Sequence, residues 1–340
     1  MRAVVLERQG GPEVLSYRED APIPVPKSGE ALVKIAAVGL NRIDVWIRKG
    51  LYKVNLPLIL GADISGHVES SSDGGQVGRG DAVVVYPIVT CGSCEPCLVG
   101  REDACLKRSM IGLNRDGGYA EFVTVPERCL VRLPGTIDPV EAAAIPINFL
   151  TAYHMLICGA SLSAGETVLV VGGGSGIGYA AIQLARLIGA TVITTVGDDW
   201  KVERAYEIGA DLVINRKKSD VTEEVKKFTE GKGVDVVFEH AGSDFWNTAI
   251  RCLKQTGRLI VGGATTGSNV NVDVRDLYMR RLTVVGSGFG TKADLMRIID
   301  LFVRKRLRVL IDRTYPLKDA SKAHARMENS EHFGKILMRP

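Results

Sequence analysis

The apolar positions of this chain follow two rhythms. Up to about residue 150 they come in short, valine-rich runs: AVVLE, EALVKIAAVGL, HVESS, DAVVVYP, YAEFVTVP and CLVRLP. Each is broken by Gly, Pro or Asp. Such runs predict strands, and their close spacing predicts a partly closed β-barrel or sandwich. VPKSGEAL and VGRGDAV read as tight turns between them.

From Glu166 onward apolar strands alternate with helical stretches. TVLVVG, TVITTVG, DLVIN, VDVVFEH, RLIVGGA and LTVVGSG read as six strands. IGYAAIQLARLIG, WKVERAYEIG, DVTEEVKKFTEG and DFWNTAIRCLKQTG read as helices between them. Continuous apolar strands separated by helices predict a parallel sheet covered on both faces, and six of them suit a doubly wound dinucleotide-binding fold. After Gly290 come a helix, KADLMRIIDLFVRKR, then VLIDRTYPL, a helix ASKAHARMEN and a strand KILMRP. A six-stranded sheet has no place left for them, so they are expected to return to the first domain. The fold class is α/β. One domain covers residues 1–150 and 290–340, and the other covers 151–289.

The 340 residues, 46% hydrophobic and 24% charged, suit two ordinary globular domains. A net charge of +4 with short, scattered basic pairs gives no track for nucleic acid or a membrane surface. MRAVVLERQGG lacks an apolar leader core, and no run of about 18 apolar residues occurs. The expectation is a cytoplasmic protein whose partner is a small-molecule substrate.

Four of the seven cysteines lie in CGSCEPCLVGREDAC: Cys91, Cys94, Cys97 and Cys105, spaced C-x₂-C-x₂-C-x₇-C. Cys129, Cys158 and Cys252 stand alone, which is not the pattern of a disulfide framework. Clustered cysteines in a cytosolic chain point to metal. Four soft ligands at this spacing fit a closed tetrahedral zinc site. The rivals are an iron–sulfur cluster and a redox dithiol. The second is weakened because no βαβ pattern surrounds the first C-x-x-C.

VLVVGGGSGIGYAAIQLA joins the first apolar strand to a helix. Glycines there let the backbone approach a pyrophosphate at the positive end of the helix. With Gly173 and Gly178 as the outer glycines of G-x-G-x-x-G, Ser175 fills the middle position. Gly174, Gly176 and Ile177 complete the loop. A carboxylate ending the second strand would favour NAD, yet TTVGDD has Val196 there. Asp198 and Asp199 follow the turn, and Asp198 also reads as a helix N-cap. Lys201 and Arg216 are placed to face a 2′-phosphate. The cofactor expected is NAD(P)H, with a slight preference for NADP. His240 ends the fourth strand at the carboxyl edge, as a cofactor contact or a packed histidine. Gly263 and Ala264 end the fifth at the same edge.

In order along the chain, GLNRIDVW (39–46), LGADISG (60–66), the cysteine lobe, AAAIPINFLTAY (142–153), the glycine loop and FGKILM (333–338) resemble the medium-chain dehydrogenase/reductase family. That family includes zinc alcohol dehydrogenases and quinone oxidoreductases. The resemblance spans Met1 to Pro340. It implies a GroES-like β-rich catalytic domain with a structural-zinc lobe near 90–106, a Rossmann domain, and a homodimer or homotetramer with the sixth strand as pairing edge.

The resemblance also implies what is missing. Zinc members hold a catalytic metal with a Cys, a His-Glu pair and a second Cys. Those positions fall on Asn41, Ala62-Asp63 and Ile147-Asn148, and the proton-relay hydroxyl falls on Ile43. One carboxylate and one amide do not make a zinc site. Asn41 resembles the zinc-free quinone oxidoreductase branch, where the amide would bond the cofactor or a substrate carbonyl. Asn41 and Asp63 are the candidate catalytic residues. Asp63 has a second reading as the structural partner of a distant arginine. By resemblance Arg42 neutralises the cofactor pyrophosphate and Thr151 lies against the nicotinamide. Asp44 reads as fixing its loop, and Trp46 and Tyr52 as core or cleft walls. The expected activity is hydride transfer to quinones or α,β-unsaturated carbonyls without catalytic zinc. The alternatives are an alcohol or aldehyde dehydrogenase with an altered zinc site using Asp63, and a non-catalytic nucleotide-binding protein.

Overall fold

The computed structural model describes residues 1–72 and 77–340. The chain divides into two compact units, Met1–Ile147 with Thr291–Pro340, and Asn148–Gly290. The division falls three residues before the expected 151, inside the helix Pro146–Tyr153. That helix continues as a wider π-helical turn over His154–Gly159, which the apolar pattern does not reveal.

The first unit is built on the long strand Glu30–Leu40. Its first half alternates: Ala31, Val33 and Ile35 point into the core while Lys34 is exposed. Toward its end every residue is buried, because both faces are covered. It pairs antiparallel with Asp63–Ser70, with Phe122–Pro126 and with the returning strand Lys335–Arg339. Ala82–Val85 and Leu130–Arg132 extend the sheet on one side. On the other, Ile311–Pro316 runs parallel to Lys335–Arg339. A smaller sheet orders Leu15–Arg18, Ala3–Leu6 and Leu58–Ile59. The C-terminal segment therefore completes the first domain, as the leftover strand pattern requires.

The second unit holds six parallel strands. They are β1 (Thr167–Val170), β2 (Thr191–Val196), β3 (Leu212–Asn215), β4 (Val234–Glu239), β5 (Leu253–Val261) and β6 (Thr283–Gly286). Their spatial order is β3-β2-β1-β4-β5-β6. This is the doubly wound order, reversing between β1 and β4. Val168, Leu169, Val170, Val192, Ile193, Val236, Val237, Phe238, Leu259 and Ile260 are inaccessible to solvent. Burying each such side chain contributes roughly 1.5–3 kcal/mol. The helix expected over DFWNTAIRCLKQTG covers only Ser243–Cys252. Leu253 is already extended and Thr256 takes φ of 63°. The segment Leu253–Gly257 thus joins β5 through an irregularity in its pairing with β4.

Candidate functional site

The glycine loop follows β1 and opens helix α1 (Gly176–Ile188). Gly172 turns the chain with φ of 68°. A Cβ on Gly173 would sit 2.3 Å from Thr194 Oγ1 of β2, and one on Gly178 would sit 2.2 Å from the Gly172 carbonyl. Glycine at these two places lets strand, loop and helix pack in backbone contact. Ser175, in the middle position of the motif, caps α1 by accepting from the Gly178 amide at 2.9 Å. The first intrahelical bond is Tyr179 N to Ser175 O, so the Gly176 and Ile177 amides precede it. The loop therefore offers backbone donors at a positive helix end, which is what an anionic phosphate requires.

His240, Gly263 and Ala264 gather along the same carboxyl edge of the sheet. His240 follows β4 and lies against the loop, 3.3 Å from Ser175 Oγ. Phe238 meets its ring edge-on. Glu239, buried at the end of β4, accepts from the amides of Ala241 and Gly242 at 2.5 and 2.8 Å and shapes the turn that carries His240. Burial holds its carboxyl above the ordinary value. Gly263 follows β5, where a Cβ would sit 2.5 Å from the His240 carbonyl; Ala264 packs beside Gly242. Thr151 is buried, and its hydroxyl has no partner among the described residues.

Past the end of β2 the charges are shared out. Asp198 accepts from Lys217 at 2.7 Å, and that bond holds its carboxyl below the usual range. Asp199 pairs with Lys218 and accepts from Asn215 at 2.7 Å. Lys201 is buried beside the Trp200 ring. The Arg216 guanidinium lies 3.3 Å from where a Cβ on Gly197 would project, at the mouth of β2.

In the first unit, Asn41 and Asp63 meet as the sequence reading brings them together, with partners it does not name. Asp63 is fully buried and its partner is a lysine, not an arginine. Lys335 donates to Asp63 Oδ2 in an ion pair and to Asn41 Oδ1 at 2.7 Å. Asn41 Nδ2 donates to the same carboxylate oxygen at 2.9 Å. The Ile147 amide donates to Asp63 Oδ1 at 2.7 Å. Both carboxylate oxygens and the Asn41 amide are thus committed inside the domain, which gives this pair a structural part. Asp63 belongs to no group of three or more metal-capable side chains among the described residues. Asp44 accepts from the Asn41 amide at 2.8 Å and fixes the start of helix Arg42–Lys49. Burial raises its carboxyl to about 7. Arg42, on the first turn of that helix, has no hydrogen-bond or ion-pair partner among the described residues, and burial lowers its pKa. Trp46 and Tyr52 stack with ring centres 6.5 Å apart.

The cysteine lobe brings its four Sγ atoms within 4.8 Å of one another. Cys91–Cys97, Cys94–Cys97, Cys94–Cys105 and Cys91–Cys105 are separated by 3.9, 3.5, 3.9 and 3.6 Å. Ligands about 2.3 Å from a tetrahedral zinc stand about 3.8 Å apart, so the thiols fit that ion. The Cys94 amide points at Cys91 Sγ from 3.3 Å. The Ser93 amide, and after it the Cys94 amide, draws the Cys91 thiol down to about 5.

Gly172, Glu239 and Lys335 are members of these clusters that the sequence does not announce as a set. Gly172 had a readable signal, since the glycine run begins there. The other two depend on distant packing.

The profile described as alcohol dehydrogenase GroES-like domain matches residues 27–135. The one described as zinc-binding dehydrogenase matches residues 176–304. An NAD-dependent alcohol dehydrogenase of Sulfurisphaera tokodaii is 32% identical, covering 100% of both chains. A quinone oxidoreductase of Homo sapiens is 29% identical over 99% of this chain and 97% of its own. A solved structure of an NAD-dependent alcohol dehydrogenase superimposes with a TM-score of 0.96 at 38% identity, covering 100% of both chains. With both domains matched, the glycine loop formed and relatives aligned end to end, the chain belongs to the medium-chain dehydrogenase/reductase family of nicotinamide-dependent oxidoreductases.

Proposed function

We propose that this protein is an NADP(H)-dependent reductase of quinones or α,β-unsaturated carbonyls that works without a catalytic zinc. The observation that carries the reading is the closed Asp63 cluster. Of the positions that hold metal in zinc alcohol dehydrogenases, only Asp63 offers a strong ligand. Its two oxygens are taken by Lys335, Asn41 and the Ile147 amide. Acceptors whose carbonyl is conjugated need less Lewis-acid help than a simple ketone.

The glycine loop supports the binding step: the Gly176 and Ile177 amides hold the pyrophosphate, and Ser175 with His240 keeps the loop in shape. The bound nicotinamide supplies the hydride. Thr151 has an unpaired hydroxyl to orient the ring, and Arg42 has an unpaired charge for a phosphate. Arg216, near Asp198 but without a side-chain hydrogen bond among the described residues while Lys217 and Lys218 bond the two aspartates, supports NADP over NAD. The stacked pair of half-buried Trp46 and exposed Tyr52 suits a flat conjugated acceptor.

The cysteine lobe, in this reading, holds one structural zinc through Cys91, Cys94, Cys97 and Cys105, closed to solvent chemistry. The β6 edge and the exposed Val284, Tyr278 and Met279 support self-association as a dimer or tetramer.

The test is a metal count with a cofactor-resolved screen. One zinc per chain, and NADPH oxidation by quinones or enones, is the expected result. Two zincs per chain with turnover confined to simple alcohols would overturn it and favour the alcohol dehydrogenase reading.

A further inference from the structure

We infer that Lys335 is a positioning residue for cofactor binding, acting through Asn41 on Arg42. Its ammonium is 1% exposed and stands where separate segments converge. It binds Asn41 Oδ1 at 2.7 Å, at the end of strand Glu30–Leu40, and Asp63 Oδ2, at the start of Asp63–Ser70. Asp63 in turn holds the Ile147 amide, the last of the first unit before the chain enters the second. Asn41 directly precedes Arg42, and its own amide is held by Asp44. The lysine stem has no slack: a Cβ on Gly39 would strike Lys335 Cε at 2.4 Å.

Arg42 is the only member of this group with an unspent charge among the described residues. It is half-buried, and burial disfavours its charged form. A desolvated, unpaired guanidinium binds an anion best when its backbone is held fixed, because less freedom is lost on binding. Lys335 supplies that fixity by locking the residue before it in both side chain and register. The inference rests on the reading that Arg42 meets an anionic group of the cofactor.

The Lys335→Met/Asp63→Asn double variant tests it, since it removes the ammonium and leaves no unpaired buried carboxylate. The readouts are its melting temperature and its NADPH Kd by fluorescence titration. The expected result is folding close to the parent with Kd raised about tenfold. Asn41→Ser, which keeps a capping hydroxyl and the Lys335–Asp63 pair, is expected to weaken NADPH by a similar factor. Neither change is expected to add to Arg42→Gln. Parental Kd in Asn41→Ser or in the double variant, with Arg42→Gln weakened, overturns the role of Lys335. Parental Kd in Arg42→Gln overturns the Arg42 reading, and this inference with it.

Discussion

Asp63 and Lys335, 272 residues apart, form an ion pair that is 0% and 1% exposed. Removing one partner of such a pair leaves a charge in the interior. Lys335→Met alone is expected to lower stability by about 3–5 kcal/mol, and adding Asp63→Asn to recover most of it. Chemical denaturation of the two variants measures the difference. Equal losses in both would mean that packing, not charge, holds the cluster.

Arg216 sits beside Gly197 while its neighbours Lys217 and Lys218 are paired with Asp198 and Asp199. Arg216→Ala is expected to raise KM for NADPH about tenfold or more and to leave KM for NADH within about twofold. An equal effect on both cofactors would remove Arg216 from 2′-phosphate recognition.

The cysteine lobe can be tested without turnover. On the proposed structural-zinc reading, Cys94→Ser is expected to lower the zinc content of the protein, seen with a colorimetric chelator, and to make the segment near 91–105 sensitive to protease. A parental metal content in this variant would show that the ion sits elsewhere.

Two buried groups give stability opposite pH slopes. Asp44, raised to about 7 from 3.8, keeps a proton in the folded state that the unfolded chain has lost. It therefore takes stability away as pH rises from about 4 to 7. His324, lowered to about 3 from 6.5 by burial and then by Arg48, stays neutral while the unfolded chain gains a proton. Its contribution is lost as pH falls from about 6.5 to 3. Asp44→Asn is expected to stabilise the protein at pH 8, to change little at pH 3.5, and to leave a curve rising through the acid range. His324→Gln should leave a curve that falls toward neutral pH. Denaturation midpoints between pH 3.5 and 8 check both.

The Rossmann unit was legible because a strand covered on both faces must be apolar throughout, as TVLVV and VDVVF are. The end of helix Ser243–Cys252 was not, since Leu253, Lys254 and Gln255 suit either structure and no Gly or Pro marks the change to extended backbone at Leu253. At the site, the glycine spacing announced backbone contact with a phosphate. Asp63 was visible through the family pattern, where it takes the acid of the His-Glu pair, while its partner was hidden. The lysine of FGKILM looks like any polar residue opening a strand. Only the antiparallel pairing of Lys335–Arg339 with Glu30–Leu40 brings it there.

That same pairing bears on how the protein is made. Lys335–Arg339 lies between Glu30–Leu40 and Ile311–Pro316, so the sheet that nearly begins the chain stays open until residue 339 has left the ribosome. The unit Asn148–Gly290 is continuous and can close while synthesis proceeds. Maturation thus runs against sequence order: the domain encoded second can close first, while the end of Glu30–Leu40, paired early with Asp63–Ser70, waits for its last neighbour.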